Sequence, residues 1–427
     1  MHHFSIHFHL FLFLISTQTI FATTPPTACV TGATGFLGME LTSQLLNEGF
    51  HVRASVRDPS NMKKVQPLNK LAEDAKVPNH LTIVRADLME GPDSFKECIK
   101  DAEYVFHTAS PFQTKNIINP MKQLVEPALK GTEAVIGAAL LQSSSVKYIV
   151  LTSSIAAVMS STSTPLNKKC FTEREWNTKS QVENGGLDAY RYSKTVAEKR
   201  FWEMLEDPDL NTRNVIGTTI LPSFIVGPQR STTLTGESSI FMKSILEGQV
   251  PYRGNTAMCD VRDVAAAHIK AAINLREMKQ GFPDEMEIIS KIDIDILQQR
   301  RRYIISSEKI ILRSDVLKWM SEKYAAQYQI AQQEREEEIS IKRRLFCPTN
   351  LKEISMHIED TKYYFNENGE RTRTDHSEYE YGPYGMNMRM AKNSILEMAS
   401  ALLTVTHGTD LIVPIDVVVR VDKKVDL

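Results

Sequence analysis

The chain has 427 residues, 42% of them hydrophobic and 24% charged, which is enough apolar material for a large folded core. Its formal net charge of −2 at pH 7 leaves no excess of Lys and Arg to neutralise phosphates, so the composition argues against a nucleic-acid-binding protein. We therefore expect a globular protein whose partner is a small molecule.

Residues 1–24 are expected to lie outside the fold, as a signal-like or disordered extension. Residues 9–15 form an apolar run similar to that of a signal peptide, but no Lys or Arg precedes the run. The run is also too short to span a bilayer, so no stable transmembrane span is predicted. A cleaved secretory signal and a loose extension or misassigned start are the alternatives that remain open.

The five cysteines are odd in number and widely spaced, and no two of them form a C-x-x-C pair. This pattern favours reduced packing residues over a disulfide framework or a zinc site. Four of the eleven histidines lie within the first nine residues, outside the expected fold, so no metal is predicted. Reduced thiols favour a cytoplasmic protein, with entry into the secretory pathway as the alternative that residues 9–15 leave open.

The first element of the fold is a strand that runs into a glycine loop. Residues 28–31 are strand-like, and leucines recur at helical spacing from residue 37 to residue 45. Between these segments Gly32 suits a tight turn, Gly35 suits close approach of the backbone to a pyrophosphate, and Gly38 suits close packing of helix on strand. Because N–H groups at a helix start attract anions, the order strand, glycine loop and helix predicts a nucleotide site.

The second strand, residues 51–57, ends about twenty residues beyond the glycines, where the ribose of a dinucleotide is read. Arg57, Lys63 and Lys64 suit a 2′-phosphate through charge-assisted hydrogen bonds, whereas an acidic residue would suit a free 2′-hydroxyl. The sequence therefore predicts NADP(H) as the preferred cofactor and NAD(H) as the alternative. The acidic side chain of Asp58, next to Arg57, disfavours this preference for NADP(H). A plain solvated basic loop is the other interpretation.

Three further β-rich runs, residues 81–88, 102–111 and 146–154, alternate with helical stretches. Such alternation predicts a parallel sheet with right-handed crossovers. Because ligands of such sheets bind at the carboxyl ends of the strands, Asp87, residues 107–111 and residues 152–154 are expected to border one crevice.

The next helix, predicted to begin near Asp188, places Tyr190 and Lys194 four residues apart on one face. A phenol with a pKa near 10 transfers protons poorly at neutral pH unless an adjacent ammonium favours the phenolate. Lys194 would provide that charge, and Ser154 would hold a substrate carbonyl oxygen while Tyr190 protonates it. The spacing alone is common on structural helices, and Tyr192 is the rival tyrosine on another side of the helix.

These motifs resemble the extended short-chain dehydrogenases/reductases, of the NAD-dependent epimerase/dehydratase superfamily. Within them the sequence is similar to the dihydroflavonol reductase, cinnamoyl-CoA reductase and fungal aldehyde/ketone reductase group. The matching stretches run in family order from residue 27 to residue 269: TGATGFLG, VRASVRDP, ADL, VFHTASPF, VLTSS, AYRYSKTVAEK, LPSFIVGP and DVRDVAAAHI.

The resemblance implies Ser154, Tyr190 and Lys194 as the catalytic set, with Ser154 chosen over Ser153. It also implies Arg57 and Lys64 at the 2′-phosphate, Asp87 and Leu88 at the adenine, and Pro222 near the nicotinamide. The full set of predicted cofactor-binding residues is Gly32, Thr34, Gly35, Phe36, Leu37, Gly38, Arg57, Lys64, Asp87, Leu88, Thr108, Ala109, Ser110, Tyr190, Lys194 and Pro222. Met159, in an apolar setting where flavonoid-binding relatives carry Asn, disfavours a flavonoid substrate.

In the second half of the chain, Asp263 is predicted to cap a helix, Arg262 and Asp263 to anchor two lobes together, and His268 to be a packing residue. The family passes directly from KQG to RYIISS, but here residues 282–300 intervene. An unspliced intron or a surface loop would explain this insertion. A stretch similar to the closing helix of the family follows at residues 394–403, and the tail beyond it alternates like a strand.

The sequence thus predicts an α/β protein with a Rossmann-type, doubly wound parallel sheet and a smaller C-terminal substrate-binding lobe. The predicted parts are the extension (1–24), an NAD(P)-binding domain with the catalytic residues (25–222), and a substrate lobe with the insertion 282–300 and a divergent end (223–427). The predicted activity is NADPH-dependent reduction of an aldehyde or ketone by a monomer or homodimer. The alternatives are hydroxysteroid dehydrogenase-like or epimerase/dehydratase activity, and a nucleotide-binding protein with an inactive lobe.

Overall fold

The computed structural model describes residues 25–110, 117–166, 170–231, 236–247, 257–281, 301–307, 311, 313–324, 363–365, 371–373, 379–381, 387–389 and 391–407. The predicted extension at 1–24, the insertion at 282–300, Pro111 and the tail after residue 407 lie outside the described residues.

Seven parallel strands form the central sheet, which confirms the predicted fold class. They are β1 Thr27–Thr31, β2 His51–Val56, β3 Leu81–Arg85, β4 Tyr104–His107, β5 Tyr148–Thr152, β6 Ile216–Pro222 and β9 Arg302–Ile305. Their order across the sheet is β3-β2-β1-β4-β5-β6-β9, and every neighbouring pair is parallel. The direction of the crossovers reverses between β1 and β4, which creates a crevice at the carboxyl ends of these two strands.

Helices cover both faces of the sheet because successive side chains of each strand point to opposite faces. On β5, Tyr148 and Val150 join the apolar core under α1 Phe36–Asn47, α2 Met62–Asp74 and α7 Val261–Gly281. Ile149 and Leu151 join the core under α3 Lys96–Ile99, α4 Glu126–Leu140 and α5 Gly186–Glu206. All four residues are buried, as a strand covered on both faces requires.

A further apolar cluster lies apart from these two cores. It is built from the short parallel pair β7 Phe224–Val226 and β8 Met258–Asp260 and from α6 Glu237–Leu246, α8 Arg313–Tyr324 and α9 Ala391–His407. Two antiparallel pairs belong to the same half of the chain: β10 Tyr363–Phe365 with β11 Arg371–Arg373, and β12 Tyr379–Tyr381 with β13 Asn387–Arg389. Helix α9 contains the predicted closing helix at 394–403.

Two elements that follow the predicted boundary at residue 222 belong to the central sheet layer. Helix α7 packs through its apolar face on the sheet, and β9 pairs with β6 at the sheet edge. The chain therefore crosses to the second cluster after β6, returns with α7 and β9, and leaves again with α8. Because of this return, the described chain passes between the central sheet and the further cluster three times: after β6, at the start of α7 and after β9.

Arg262 is one residue that joins the two parts. Its Nε and Nη2 donate to both carboxylate oxygens of Asp260 at 2.8 and 2.7 Å, and its Nη1 lies 2.7 Å from Glu397 Oε2 on α9. The predicted helix cap at Asp263 is wrong, because α7 begins at Val261 and the side chain of Asp260 accepts from the Arg262 N–H. Asp263 lies in the first turn of the helix instead.

The expectation of reduced cysteines is also wrong. Cys29 on β1 and Cys98 on α3 form a disulfide across 69 residues of sequence, and Cys170 is disulfide-bonded too. Cys259 is buried and free. The spacing of the cysteines could not show this, because Cys29 and Cys98 meet only through the packing of α3 against β1. The prediction of a cytoplasmic protein loses the support that it took from reduced thiols.

Among the residues described, no helix combines the length and apolarity that crossing a membrane would require.

Candidate active site

The glycine loop lies between β1 and α1 at the carboxyl edge of the sheet. Gly32 has a φ of +68°, a conformation that favours glycine, and a Cβ there would lie 2.9 Å from the Cα of Ala109. The N–H of Gly35 donates to the carbonyl oxygen of Gly32 at 2.8 Å, which closes the turn. At Gly38 a Cβ would overlap the same carbonyl oxygen, so any side chain would push α1 off the loop.

The start of α1 faces the crevice without a side-chain cap. Gly35 is the N-cap residue and makes no side-chain hydrogen bond, so the first N–H groups of the helix have no such partner. Thr34 and Phe36 are partly buried, and Leu37 and Gly38 are buried. An open helix N-terminus beside a backbone turn without side chains is suited to bind a phosphate group.

A group of basic side chains lies at the carboxyl end of β2. Arg57, Lys63 and Lys64 are exposed, and none of their side chains makes an ion pair with another described residue. Asp58 is turned toward Ser60, whose N–H and hydroxyl donate to it at 2.9 and 2.6 Å. These hydrogen bonds from Ser60 lower the pKa of Asp58. The acidic neighbour is thus bound within its own turn and leaves Arg57 available to an anion.

Part of the crevice is a pocket between the carboxyl ends of β4 and β5 and the helices α4 and α5, and it extends from Leu88 to Ser153 and Lys194. The carboxylate of Asp87 accepts from the N–H of Met89 at 2.9 Å and so fixes the turn that presents Leu88. At the other end the crevice is lined by Ser153 and Lys194, with Ala109 and Ser110 between the two ends.

Thr31 ties β1 to the end of β4. The Thr108 hydroxyl donates to the Thr31 carbonyl at 2.7 Å, and the Ala109 N–H donates to the Thr31 hydroxyl at 3.2 Å. The same hydroxyl lies 2.8 Å from Nδ1 of His107. Burial, assisted by the charge of Lys194, lowers the pKa of His107 to about 3. His107 is therefore neutral at ordinary pH and orders the crevice wall.

Ser154 and Tyr190 meet beside Lys194. Ser154 lies near the phenol of Tyr190 and lowers its pKa, and its Oγ accepts a hydrogen bond from the Ala156 N–H at 3.1 Å. Helix α5, which carries Tyr190 and Lys194, begins at Gly186, two residues before the predicted start. Asp188 in its first turn accepts from Ser180 Oγ at 2.7 Å. This contact fixes the start of the helix, about two turns before Lys194.

The protonation states of the two side chains follow from their burial. Burial raises the pKa of Tyr190 to about 12, against the opposite effects of the nearby Ser154 and of the charge of Arg191. Burial also lowers the pKa of Lys194 to about 8, against the charge of Glu198. The expected lowering of the pKa of Tyr190 by Lys194 is thus not found, because desolvation of the phenolate dominates. At neutral pH Tyr190 is a protonated phenol, which is the state that a proton donor requires.

Ser153 and Ser154 have different partners although they are adjacent. Ser153 is buried, and its hydroxyl donates to Glu198 Oε2 at 2.5 Å. Ser154 is the serine that lies near the tyrosine. Glu198 was not among the predicted site residues. Its position four residues after Lys194 on the same helix was the available signal.

The other residues considered in the sequence have structural surroundings. His268 is fully buried, with Nδ1 2.7 Å from the Val264 carbonyl and Nε2 2.7 Å from the Thr152 hydroxyl, and burial lowers its pKa to about 4. Pro222 ends β6, opposite Ile305. Met159 is buried in an apolar cluster with Phe171. Tyr192 is partly buried.

Among the residues that the structure describes, no group of three or more His, Cys, Asp or Glu side chains is arranged to hold a metal ion.

A doubly wound parallel sheet, with a glycine loop at its switch point and a tyrosine and lysine on the next crevice helix, defines the class of Rossmann-type oxidoreductases. The chain belongs to the 3-beta hydroxysteroid dehydrogenase/isomerase family, whose model matches residues 29–290.

Known relatives confirm the resemblance seen in the sequence. A cinnamoyl-CoA reductase of Medicago truncatula is 36% identical over 251 residues, which are 58% of this chain and 72% of that protein. An anthocyanidin reductase of Vitis vinifera is 32% identical over 311 residues, which are 67% of this chain and 88% of that protein. Both relatives are oxidoreductases by name.

Solved structures show the same fold. Gre2 of Candida albicans, in complex with NADPH, superposes with a TM-score of 0.65 at 23% identity and covers 90% of this chain and 100% of its own. At this identity the likeness supports the fold.

Proposed function

We propose that this protein is an NADPH-dependent reductase that converts an aldehyde or ketone to an alcohol, with Tyr190 as the proton donor. The observation that carries the proposal is that Ser154 lies next to Tyr190, which is one helical turn from the buried Lys194. A hydroxyl pair at the carboxyl end of a strand, next to a nucleotide crevice, suits a carbonyl oxygen as ligand.

The residues along the crevice fit NADPH. The turn at Gly32 and the uncapped start of α1 suit the pyrophosphate, the exposed Arg57 and Lys64 suit a 2′-phosphate, and Leu88 suits the adenine. When bound, NADPH supplies the hydride for the carbonyl carbon. Gre2 of Candida albicans and its yeast counterpart were both solved with NADPH, which supports this choice over NADH.

The side chains of this protein provide the proton and its positioning. Ser154 and Tyr190 would both donate hydrogen bonds to the carbonyl oxygen, and Tyr190 would give up its proton as negative charge develops there. The ammonium of Lys194 would then stabilise the phenolate that remains. With a pKa of about 8, Lys194 is mostly charged at neutral pH and loses this role as the pH rises.

A lipophilic or aromatic carbonyl compound is the proposed substrate class. The names of the relatives, which include cinnamoyl-CoA, anthocyanidin and tetraketide alpha-pyrone reductases, support ring-bearing substrates. The matching family model also favours a second candidate, oxidation of a hydroxysteroid. The same Ser154, Tyr190 and Lys194 would serve it, with Tyr190 accepting the proton.

The test is turnover by the full chain with NADPH or NADH and a panel of aromatic, aliphatic and steroid carbonyl compounds. We expect consumption of NADPH, with alcohol formed in equal amount. Oxidation of hydroxysteroids without reduction of any carbonyl would favour the second candidate. Tight NADPH binding without turnover in either direction would contradict both candidates.

The choice of cofactor can be tested at Arg57. Removing a charge-assisted hydrogen bond to the 2′-phosphate costs enough to weaken binding about 10- to 100-fold. We therefore expect Arg57→Ala to raise the Kd for NADPH by that factor and to leave the Kd for NADH nearly unchanged, as measured by fluorescence titration. Lys70→Ala, at an exposed lysine further along α2, is the matched control. An equal loss for both cofactors would show that Arg57 does not bind the phosphate.

A further inference from the structure

A fully buried ion pair lies behind the proposed catalytic helix. Glu198 on α5 and Arg302 on β9 are both 0% exposed, with Nε 2.7 Å from Oε1 and Nη2 3.4 Å from Oε2. Arg302 Nη1 also donates to the carbonyl oxygens of Glu173 and Glu175 at 2.5 and 2.9 Å. The ring of Trp176 stacks 3.8 Å from its guanidinium carbon. Every part of the guanidinium is therefore held in place.

The carboxylate of Glu198 is held from two more strands. Ser153 at the end of β5 donates to Oε2 at 2.5 Å, and Thr219 on β6 donates to Oε1 at 3.0 Å. With Arg302, three strands of the sheet thus bind one side chain of α5. Charged donors and short distances make such hydrogen bonds strong and orient the carboxylate closely.

Stability alone does not account for this pair. Taking two charges out of water costs more than their attraction commonly returns, and apolar side chains of the same volume often stabilise a protein as well or better. Glu198 lies one helical turn from Lys194, and both side chains line the crevice. Its negative charge is therefore placed where it acts on the lysine of the proposed catalytic set.

We propose that Glu198 is a positioning residue for the active site, which acts through Lys194 and is held by Ser153, Thr219 and Arg302. This inference rests on the proposed function of Lys194. No atom of Glu198 has to touch substrate or cofactor for this role.

The charges around Lys194 favour this interpretation. On α5, Glu198 is the carboxylate that raises the pKa of Lys194 against the effect of burial. On β4, burial and the charge of Lys194 lower the pKa of His107, so this imidazole is neutral at ordinary pH. Tyr190 on the same helix is protonated at neutral pH, and Arg302 on β9 is paired with Glu198. Glu198 is thus the negative charge that keeps the ammonium charged in a buried setting.

The test compares Glu198→Gln with the double variant Glu198→Gln/Arg302→Met. In Glu198→Gln the stabilising charge is lost and Arg302 is unpaired, so Lys194 releases its proton at lower pH. We expect the alkaline limb of the kcat profile to move down by about one pH unit or more. The double variant removes both charges and so avoids an unpaired charge in the interior. The alkaline limb of its kcat profile should lie at lower pH than in the wild type, but be shifted by less than in the single variant.

A direct measurement separates this inference from the proposed function. The pH dependence of competitive acetylation at Lys194, followed by mass spectrometry, reports its ionisation whether or not the protein turns over a carbonyl. A wild-type titration curve for Lys194 in the double variant would overturn the role of Glu198, even if kcat is reduced. Absence of turnover in the wild type would instead contradict the proposed function, and the acetylation curves would still decide the role of Glu198.

Glu203→Gln is the matched control, because Glu203 lies on the same helix with an exposed side chain paired to Arg200. Its kcat profile and its Lys194 titration should remain those of the wild type. Thermal unfolding of each variant monitors folding, and the double variant carries the test if Glu198→Gln alone does not fold.

Discussion

Tyr190→Phe should lower kcat by about 10²- to 10⁴-fold, the range in which a positioned general acid contributes. The variant loses only a hydroxyl, and that hydroxyl is the group that lies beside Ser154. Because the ring is kept, the crevice and the Kd for NADPH should change little. The measurement is steady-state turnover with NADPH and the best substrate of the panel, together with a cofactor titration.

Tyr192→Phe is the control for this experiment. Tyr192 is partly buried on the same helix, two residues from Lys194. Its substitution likewise removes only a phenolic hydroxyl. We expect near wild-type kcat for this variant. Near-normal turnover in Tyr190→Phe would contradict the assignment of the proton donor, and a loss confined to Tyr192→Phe would transfer it to the other tyrosine.

Loss of the Cys29–Cys98 disulfide should lower the free energy of unfolding by about 4 kcal/mol, because the bond closes a loop of 69 residues in the unfolded chain. Cys98→Ser removes it with little change in volume. Cys29 lies on β1, three residues before Gly32, so we also expect the glycine loop to open more readily. Denaturant unfolding without reductant measures the loss for the variant against the wild type.

Cys259→Ser is the matched control because Cys259 is buried and free. That variant should unfold at lower denaturant when reductant is added, as the wild type does, since its disulfides are intact. Mass spectrometry of the alkylated, non-reduced protein identifies the bond itself. Free thiols at both Cys29 and Cys98 in the native protein would contradict the disulfide.

The main features of the fold could be predicted from short stretches of sequence. The glycine loop, the alternating strands and the Tyr190–Lys194 spacing are local patterns, because a turn, a strand or one helical turn involves only neighbouring residues. The parallel sheet followed from their order, and the family followed from the motifs. Even the choice of Ser154 over Ser153 came from the motif, although the structure alone shows their different partners.

Contacts between distant residues could not be predicted in this way. Cys29 and Cys98, 69 residues apart, meet because α3 packs on β1, whereas their spacing in the sequence suggested reduced thiols. The helix cap is Asp260 and not Asp263, because the end of β8 decides where α7 starts. Arg302 follows the insertion 282–300, and yet it pairs with Glu198 across 104 residues.

The sequence by itself thus determined the class of fold through the order of its elements. It also predicted the glycine loop and the pair Tyr190 and Lys194, since each of these two patterns involves only residues a few positions apart. The tertiary structure alone decided which charges surround Lys194 and which strands hold Glu198. It also decided that burial, rather than a neighbouring ammonium, sets the pKa of Tyr190. The physical reason is that desolvation and pairing of buried charges depend on every element packed around them, and a single local pattern contains none of that information.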